Sequence, residues 1–159
     1  MVDRIDFSLT GVDSLLNKLA SVSEDAKRKG GRSSLRKAAN LVAAKLKENA
    51  KALDDQRTGQ SIADNVAVRW NGRLFKRSGD LGFRVGILGG AKLADDNGKA
   101  KGTPTPHWRL LEFGTEKMQA VPFARRALAD NISQVTSVFI NEYEKAIDRA
   151  IKRAAKGNR

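Results

Sequence analysis

Between Trp108 and Asn131 the chain reads WRLLEFGTEKMQAVPFARRALADN. An apolar hexapeptide stops at Gly114-Thr115, a proline follows at position 122, and the longest helical pattern in the sequence then begins. An element end, a sharp turn and a Pro-started helix within so short a stretch divide the 159 residues into a compact body before it and a long basic helix after it. Residues 108–113 fit a helical turn or a short strand equally well. Proline is favoured in the first turn of a helix, where its missing N–H costs nothing. After it, Phe123, Ala127, Leu128, Ile132, Val135, Phe139, Tyr143, Ala146, Ala150 and Ile151 recur at helical spacing, to about Ala155. Unbroken, that helix measures on the order of 50 Å, against a diameter of roughly 40 Å for a compact domain of this size. It therefore bends, frays, or packs its end on something outside the chain.

The body alternates between the two periodicities. In residues 3–9, Ile5, Phe7 and Leu9 alternate with Arg4, Asp6 and Ser8, the pattern of a half-buried strand. Asp13 can cap a helix striped by Leu15, Leu16 and Leu19. Gly30-Gly31 predicts a break, since each glycine costs about 1 kcal/mol against Ala in a helix interior. Ser33 or Ser34 then caps an Ala-rich helix with Leu35, Ala38, Ala39, Val42, Leu46, Ala50 and Leu53 on one face. Residues 54–59 read as a connector. Residues 62–70 form a strand with Val66, Val68 and Trp70 alternating, Asn71-Gly72 is a hairpin signal, and residues 73–76 begin the return strand. After a turn at Ser78-Gly79-Asp80, Phe83, Val85 and Ile87 give the third strand of a meander. Residues 89–106, poor in apolar side chains, predict a flexible loop. The expectation is one α+β domain over residues 1–159: a small antiparallel sheet, made of the N-terminal strand plus the meander, packed against the Ala-rich helix and the long C-terminal helix, with a basic tail at 152–159.

Composition removes several function classes. Without cysteine, a disulfide framework and a thiolate metal site are excluded; with His107 the only histidine, a zinc site would need carboxylates for its other ligands. No run approaches the length of a membrane-spanning helix. The opening MVDRIDFSLTG has no basic region followed by an apolar one, so a secretory signal is not expected, and synthesis in the cytoplasm is. Net charge is +12, a field that attracts polyanions and repels other copies of the chain. It suits nearby nucleic acid or an acidic protein partner, and equally a surface that is merely soluble. From Lys145 onward the basic residues Lys145, Arg149, Lys152, Arg153, Lys156 and Arg159 face one acid, Asp148. They are the candidates for contact with DNA or an acidic partner, although cations near a helix C-terminus also favour its dipole.

No catalytic constellation stands out. Phosphate-cradling glycine motifs are absent, and GILGG leads into a loop where such motifs open a helix. Asp54-Asp55 and Asp95-Asp96 read as turn residues, lacking the further oxygen ligands of a calcium loop. His107 has no nucleophile at a recognisable spacing. Glu112, between Leu111 and Phe113, reads as a structural or interface carboxylate paired with Arg125 or Arg126. No enzyme activity, cofactor or small-molecule substrate is expected.

The residues Trp108, Glu112, Phe113, Gly114, Thr115, Met118, Ala120, Pro122, Phe123, Arg125, Arg126, Ala127 and Leu128 resemble the signature of the tail-completion, or head–tail joining, proteins of long-tailed lambdoid-type bacteriophages, the minor tail components of the neck. Upstream, Asp55, Thr58, Gly59, Ser61 and Ile62 follow the Ala-rich helix as a looser counterpart of that family's D-T-G-x-L-x-x-S-I, with the aspartate displaced and the leucine missing. The resemblance implies a virion structural protein that completes the tail or joins it to the head, as a homo-oligomeric ring around the DNA channel. Its neighbours would be head connector or stopper proteins and tail terminator or tail tube proteins. It also implies that Glu112, Phe113, Gly114, Thr115, Pro122 and Phe123 form a fixed turn and helix start. The ring would use a heterologous interface, with the 89–106 loop and the EFGT–PF segment on one side and the Ala-rich helix on the other. A small basic protein binding DNA without sequence preference, outside any virion, is the alternative.

Overall fold

A computed structural model describes residues 12–20, 22–53, 61–88, 93–94, 100–101 and 105–157. The chain is α+β, with helices predominating. In order, the elements are α1 (Val12–Ala20), α2 (Glu24–Lys51), a 3-10 turn (Ala63–Asn65), β1 (Val66–Trp70), α3 (Gly72–Ser78), β2 (Phe83–Ile87), β3 (Leu93–Ala94), β4 (Ala100–Lys101), α4 (Trp108–Phe113), α5 (Phe123–Ala129) and α6 (Ile132–Gly157). They group into two compact units. One holds α1, residues 24–38 of α2, α3 and nearly all of α6; the other holds residues 39–51 of α2, the strands, α4 and α5. The strand expected at residues 3–9 lies outside the described residues, as does the connector at 54–59.

The first unit is held by α6. Its residues Ile140, Tyr143, Ile147 and Ile151 recur at three- and four-residue spacing, so they share one face. They meet Leu15, Leu19 and Val22 from the α1 side. Ile147 is fully buried, and truncating it to Ala is a cavity-forming change of about 3 kcal/mol. The Tyr143 hydroxyl donates to the Lys27 carbonyl at 3.2 Å. Lys18 on α1 bridges Glu144 at 2.6 Å and Asp148 at 3.1 Å on α6.

Gly30-Gly31 does not break the chain: α2 runs through both glycines, and Ser33 and Ser34 lie inside the helix with Ser34 buried. The two glycines cost about 2 kcal/mol together as helix formers. At each of them a neighbouring side chain stands close to where a Cβ would go. A Cβ on Gly30 would stand 3.2 Å from the Ala146 Cβ and 3.3 Å from the Tyr143 ring, and one on Gly31 would stand 2.9 Å from a Leu81 methyl.

The second unit has the larger core. Ala43, Leu46 and Ala50 of α2 pack with Ile62, Ala63, Val66, Phe123 and Ala127, and Trp108 and Leu111 close over them. β1 pairs antiparallel with β2 in the register Val66↔Ile87, Val68↔Val85, Trp70↔Phe83, and the last pair makes an edge-on ring contact at 5.2 Å. The hairpin expected at Asn71-Gly72 is replaced by helix α3. A return strand at 73–76 would put Leu74 and Phe75 on opposite faces, whereas β2 brings three apolar side chains to the face that β1 presents. The meander is therefore a two-stranded ladder. Ser78-Gly79-Asp80 is a turn, with Gly79 at φ +77 closing α3 by its N–H to the Phe75 carbonyl at 2.9 Å. Within residues 89–106, Leu93–Ala94 pairs with Ala100–Lys101.

Residues 108–113 are helical. The helix after Pro122 is two helices, separated at Asp130-Asn131, where the Asn131 side chain donates to the Ala127 carbonyl at 3.1 Å. Asp and Asn compete for backbone hydrogen bonds in this way and favour caps over helix interiors. The 50 Å helix is therefore absent, and α6 alone is about 39 Å long at 1.5 Å per residue.

Candidate functional site

The EFGT–PF corner is built around one buried carboxylate. α4 places Leu111 toward the core and Glu112 beside it at 2% exposure, while Phe113 turns outward at 63%. α5 begins at Phe123, and Pro122 has no side-chain acceptor for the free N–H groups of that first turn. Glu112 supplies one. Its Oε2 accepts from the Ala124 N–H at 2.8 Å and its Oε1 from the Arg125 N–H at 3.1 Å. The Arg125 guanidinium completes the set, Nε donating to Oε1 at 2.9 Å and Nη2 to the Glu112 carbonyl at 3.1 Å. A carboxylate at a helix N-terminus satisfies orphan donors and the helix dipole together. The same guanidinium lies 5.3 Å from the centre of the exposed Phe113 ring.

The chain between the two helices is folded tightly enough to keep this geometry. Gly114 has φ +75 and ψ −178, a region essentially reserved for glycine. Its N–H donates to the Leu110 carbonyl at 2.8 Å. A Cβ there would meet the Met118 carbonyl oxygen and the Ala120 nitrogen, each at 2.8 Å. Thr115 and Met118 pair as an isolated bridge, and the Val121 N–H returns to the Leu111 carbonyl at 2.8 Å. Pro122, at φ −76 and ψ 68, is the centre of an inverse γ-turn closed by the Phe123 N–H to the Val121 carbonyl at 2.8 Å. Phe123 drops into the core at 3% exposure, and its carbonyl accepts from the Asn49 side chain of α2 at 3.1 Å. The structure thus brings together Glu112, Gly114, Thr115, Pro122 and Phe123, and sends Phe113 to the surface.

Lys145, Arg149, Lys152, Arg153 and Lys156 are exposed on α6. At about 100° per residue they fall within an arc of about 100°, opposite the buried face of Ile140, Ile147 and Ile151. Lys145 is 3.4 Å from Glu142, while Arg149, Lys152, Arg153 and Lys156 make no ion pair among the described residues. A groove of about 370 Å³ runs along this edge, with Asp25, Lys29 and Gly30 on α2 facing Arg149 and Arg153. Arg159 lies outside the described residues.

Two polar anchors had no sequence signal strong enough to single them out. One is Asn49. The other is Asn65, fully buried, whose amide donates to the buried Thr105 hydroxyl at 2.8 Å; a lone asparagine amid IADNVAV was the available hint. His107 is half-buried in the turn before α4, and its carbonyl accepts from Leu110. Asp54-Asp55 and Asp95-Asp96 lie outside the described residues. No cluster of His, Asp and Glu suited to a metal occurs among the described residues, nor does a helix long and apolar enough to cross a membrane.

A protein-family model described as "Bacteriophage HK97-gp10, putative tail-component" matches residues 13–114. The match spans most of the chain, from α1 through the glycine of EFGT, and leaves α5 and α6 beyond it. No curated protein and no solved structure matches the chain.

Proposed function

The chain belongs to the HK97-gp10-like family of bacteriophage tail components, and from that membership we propose that it is a structural protein of the phage neck, completing the tail or joining it to the head as a ring around the DNA channel. The observation that supports more than the family is the division of α6 into a buried face and a cationic one. Lysines and arginines spread along one helix side suit a polyanion met by charge, without base readout, as DNA passing through a ring would be. The Glu112-capped corner suits a subunit whose geometry has to be the same in every copy. Its neighbours on this reading are a head connector or stopper protein and a tail terminator or tail tube protein, and its work is assembly, with no catalysis.

Negative-stain microscopy of the protein, alone and with each neighbour, tests this directly. Rings are expected, and phage lacking the gene should accumulate unjoined heads and tails. A chain that stays monomeric throughout, with infectious virions assembling in its absence, ends the neck reading. The same cationic face also suits a small basic protein that binds duplex DNA outside the virion. That alternative predicts tight binding by a monomer or dimer with a steep salt dependence, and no ring.

A further inference from the structure

Single exposed apolar side chains are ordinary on a protein surface. Here they are concentrated: of the six large apolar side chains exposed among the described residues, five lie between positions 110 and 128, namely Leu110, Phe113, Met118, Val121 and Leu128. They belong to one knot of chain. Leu110 and Phe113 are three apart on α4, Gly114 is folded against Met118 and Ala120, and Val121 is bonded back to Leu111. Leu128 follows Arg125 by one helical turn, and Arg125 is stacked on Phe113. Glu112 fixes that guanidinium through two bonds, so the exposed aromatic–arginine pair is ordered before any partner arrives. Aromatics, Met and Arg are the residues enriched at interface centres, and pre-ordering removes part of the entropy cost of docking.

Charge decides between occupants. Exposed Arg109, Lys117 and Arg126 flank the apolar group, against exposed Glu116 and Asp130. A second copy would bring a net charge of +12 to this cationic rim, and surfaces of like charge repel. We propose that this corner docks a different protein, one presenting an apolar centre rimmed by carboxylates, and that ring formation follows that docking. The inference rests on the neck reading and gives the EFGT–PF corner to the heterotypic contact, leaving the copy-to-copy contacts to other surfaces.

Heads and tails purified separately from phage deleted for this gene are the binding probes, with sedimentation of the protein alone as the parallel measurement. Phe113→Asp is expected to weaken binding to one of the two particles by at least about tenfold without changing sedimentation. The pair Lys117→Glu and Arg126→Glu, both exposed and safe for the fold, should weaken it at low salt and less at high salt. Leu16→Asp, the exposed apolar residue of α1, should bind as wild type. Wild-type-like binding by the Phe113 and the charge-reversal variants overturns this inference and leaves the neck reading standing. Loss of self-association in those variants, with particle binding intact, makes a second copy the occupant and also overturns it. Wild-type protein that binds neither heads nor tails overturns both readings.

Discussion

Glu112 and Arg125 form a one-sided pair, the carboxylate 2% exposed and the arginine side chain 62%. The buried partner does more than balance a charge, because its two oxygens also hold the first backbone donors of α5. Glu112→Gln should therefore cost about 2 kcal/mol or more, since an amide offers one acceptor oxygen and turns its NH2 toward a backbone donor. Arg125→Ala should cost less, about 1 kcal/mol, because the carboxylate keeps both backbone bonds and water can reach the vacated side. Urea unfolding of both variants checks the order. A larger loss for Arg125→Ala would mean that the ion pair, and not the cap, holds the corner.

Gly114 and Gly79 separate backbone strain from crowding. Both have positive φ, +75 and +77. A methyl placed on Gly79 would find nothing within 4 Å, whereas one on Gly114 would find two backbone atoms at 2.8 Å. Gly79→Ala should cost about 1 kcal/mol, the left-handed penalty alone. Gly114→Ala adds overlap with atoms that cannot swing away, and should cost at least about 3 kcal/mol. Thermal melts of the two variants give the comparison, and equal losses would show that the turn opens to make room.

Gly30 and Gly31 test what overrode the expected helix break. Replacing a helix-interior glycine by Ala is favourable by up to about 1 kcal/mol when space allows. The methyl at Gly31 meets the far end of the flexible Leu81 side chain, while the one at Gly30 meets the Ala146 Cβ, fixed to the α6 backbone, and the Tyr143 ring, anchored through its hydroxyl to the Lys27 carbonyl. Gly31→Ala should be neutral or stabilising and Gly30→Ala destabilising. Measured melting temperatures moving in the same direction for both would remove the close-packing explanation.

These positions also show what a sequence can carry. Helical periodicity places α6 and the second half of α2 because their buried faces recur over several turns, and α+β follows from them together with the 66–70 and 83–87 alternations. The apolar stripe alone still sets the buried face one step off: Ile140 and Ile147 are the deepest residues of α6, and Leu128 is exposed at 46%. A buried face spans about 100°, so several registers fit the same letters. The Gly30-Gly31 break and the Asn71-Gly72 hairpin failed for another reason. Both are local preferences of about 1 kcal/mol, decided by residues distant in sequence, Tyr143 and Ala146 in one case and Phe83, Val85 and Ile87 in the other. In the corner, Glu112 was legible as a partner of Arg125. Its second task, capping a helix twelve residues away, requires the Gly114 and Pro122 turns to be folded first.

The link between Lys37 and Glu142 should be visible in the pH dependence of stability. The hydrogen bond from Lys37 is the main cause holding the Glu142 carboxyl below its ordinary value of 4.5, with Lys145 helping and desolvation opposing. A carboxyl depressed in the folded state stabilises fully above its unfolded pKa, and the contribution is lost as pH falls through the lower folded value. Glu142→Gln should therefore lower the melting temperature at neutral pH and converge with the wild type once the pH has fallen below the lowered value of the folded carboxyl. A gap that persists unchanged in acid would assign the effect to packing of the side chain.

The cationic face of α6 makes a prediction about slope that net charge alone does not. Each phosphate contact released by salt contributes about 0.9 to the slope of log K against log salt concentration on duplex DNA. Substituting Arg149, Lys152 and Arg153 together by Gln should lower that slope by up to about 2.7. Gln is close to Arg and Lys in helix propensity, and all three side chains are exposed, so the fold should be retained. A matched triple at Lys47, Lys51 and Arg84, also exposed, removes the same charge from the other unit and should leave the slope close to that of the wild type. Titrating a short duplex at several salt concentrations with the three proteins distinguishes the outcomes. If both triples reduce the slope equally, the attraction belongs to the diffuse field of the whole chain, and the α6 face has no separate part in holding DNA.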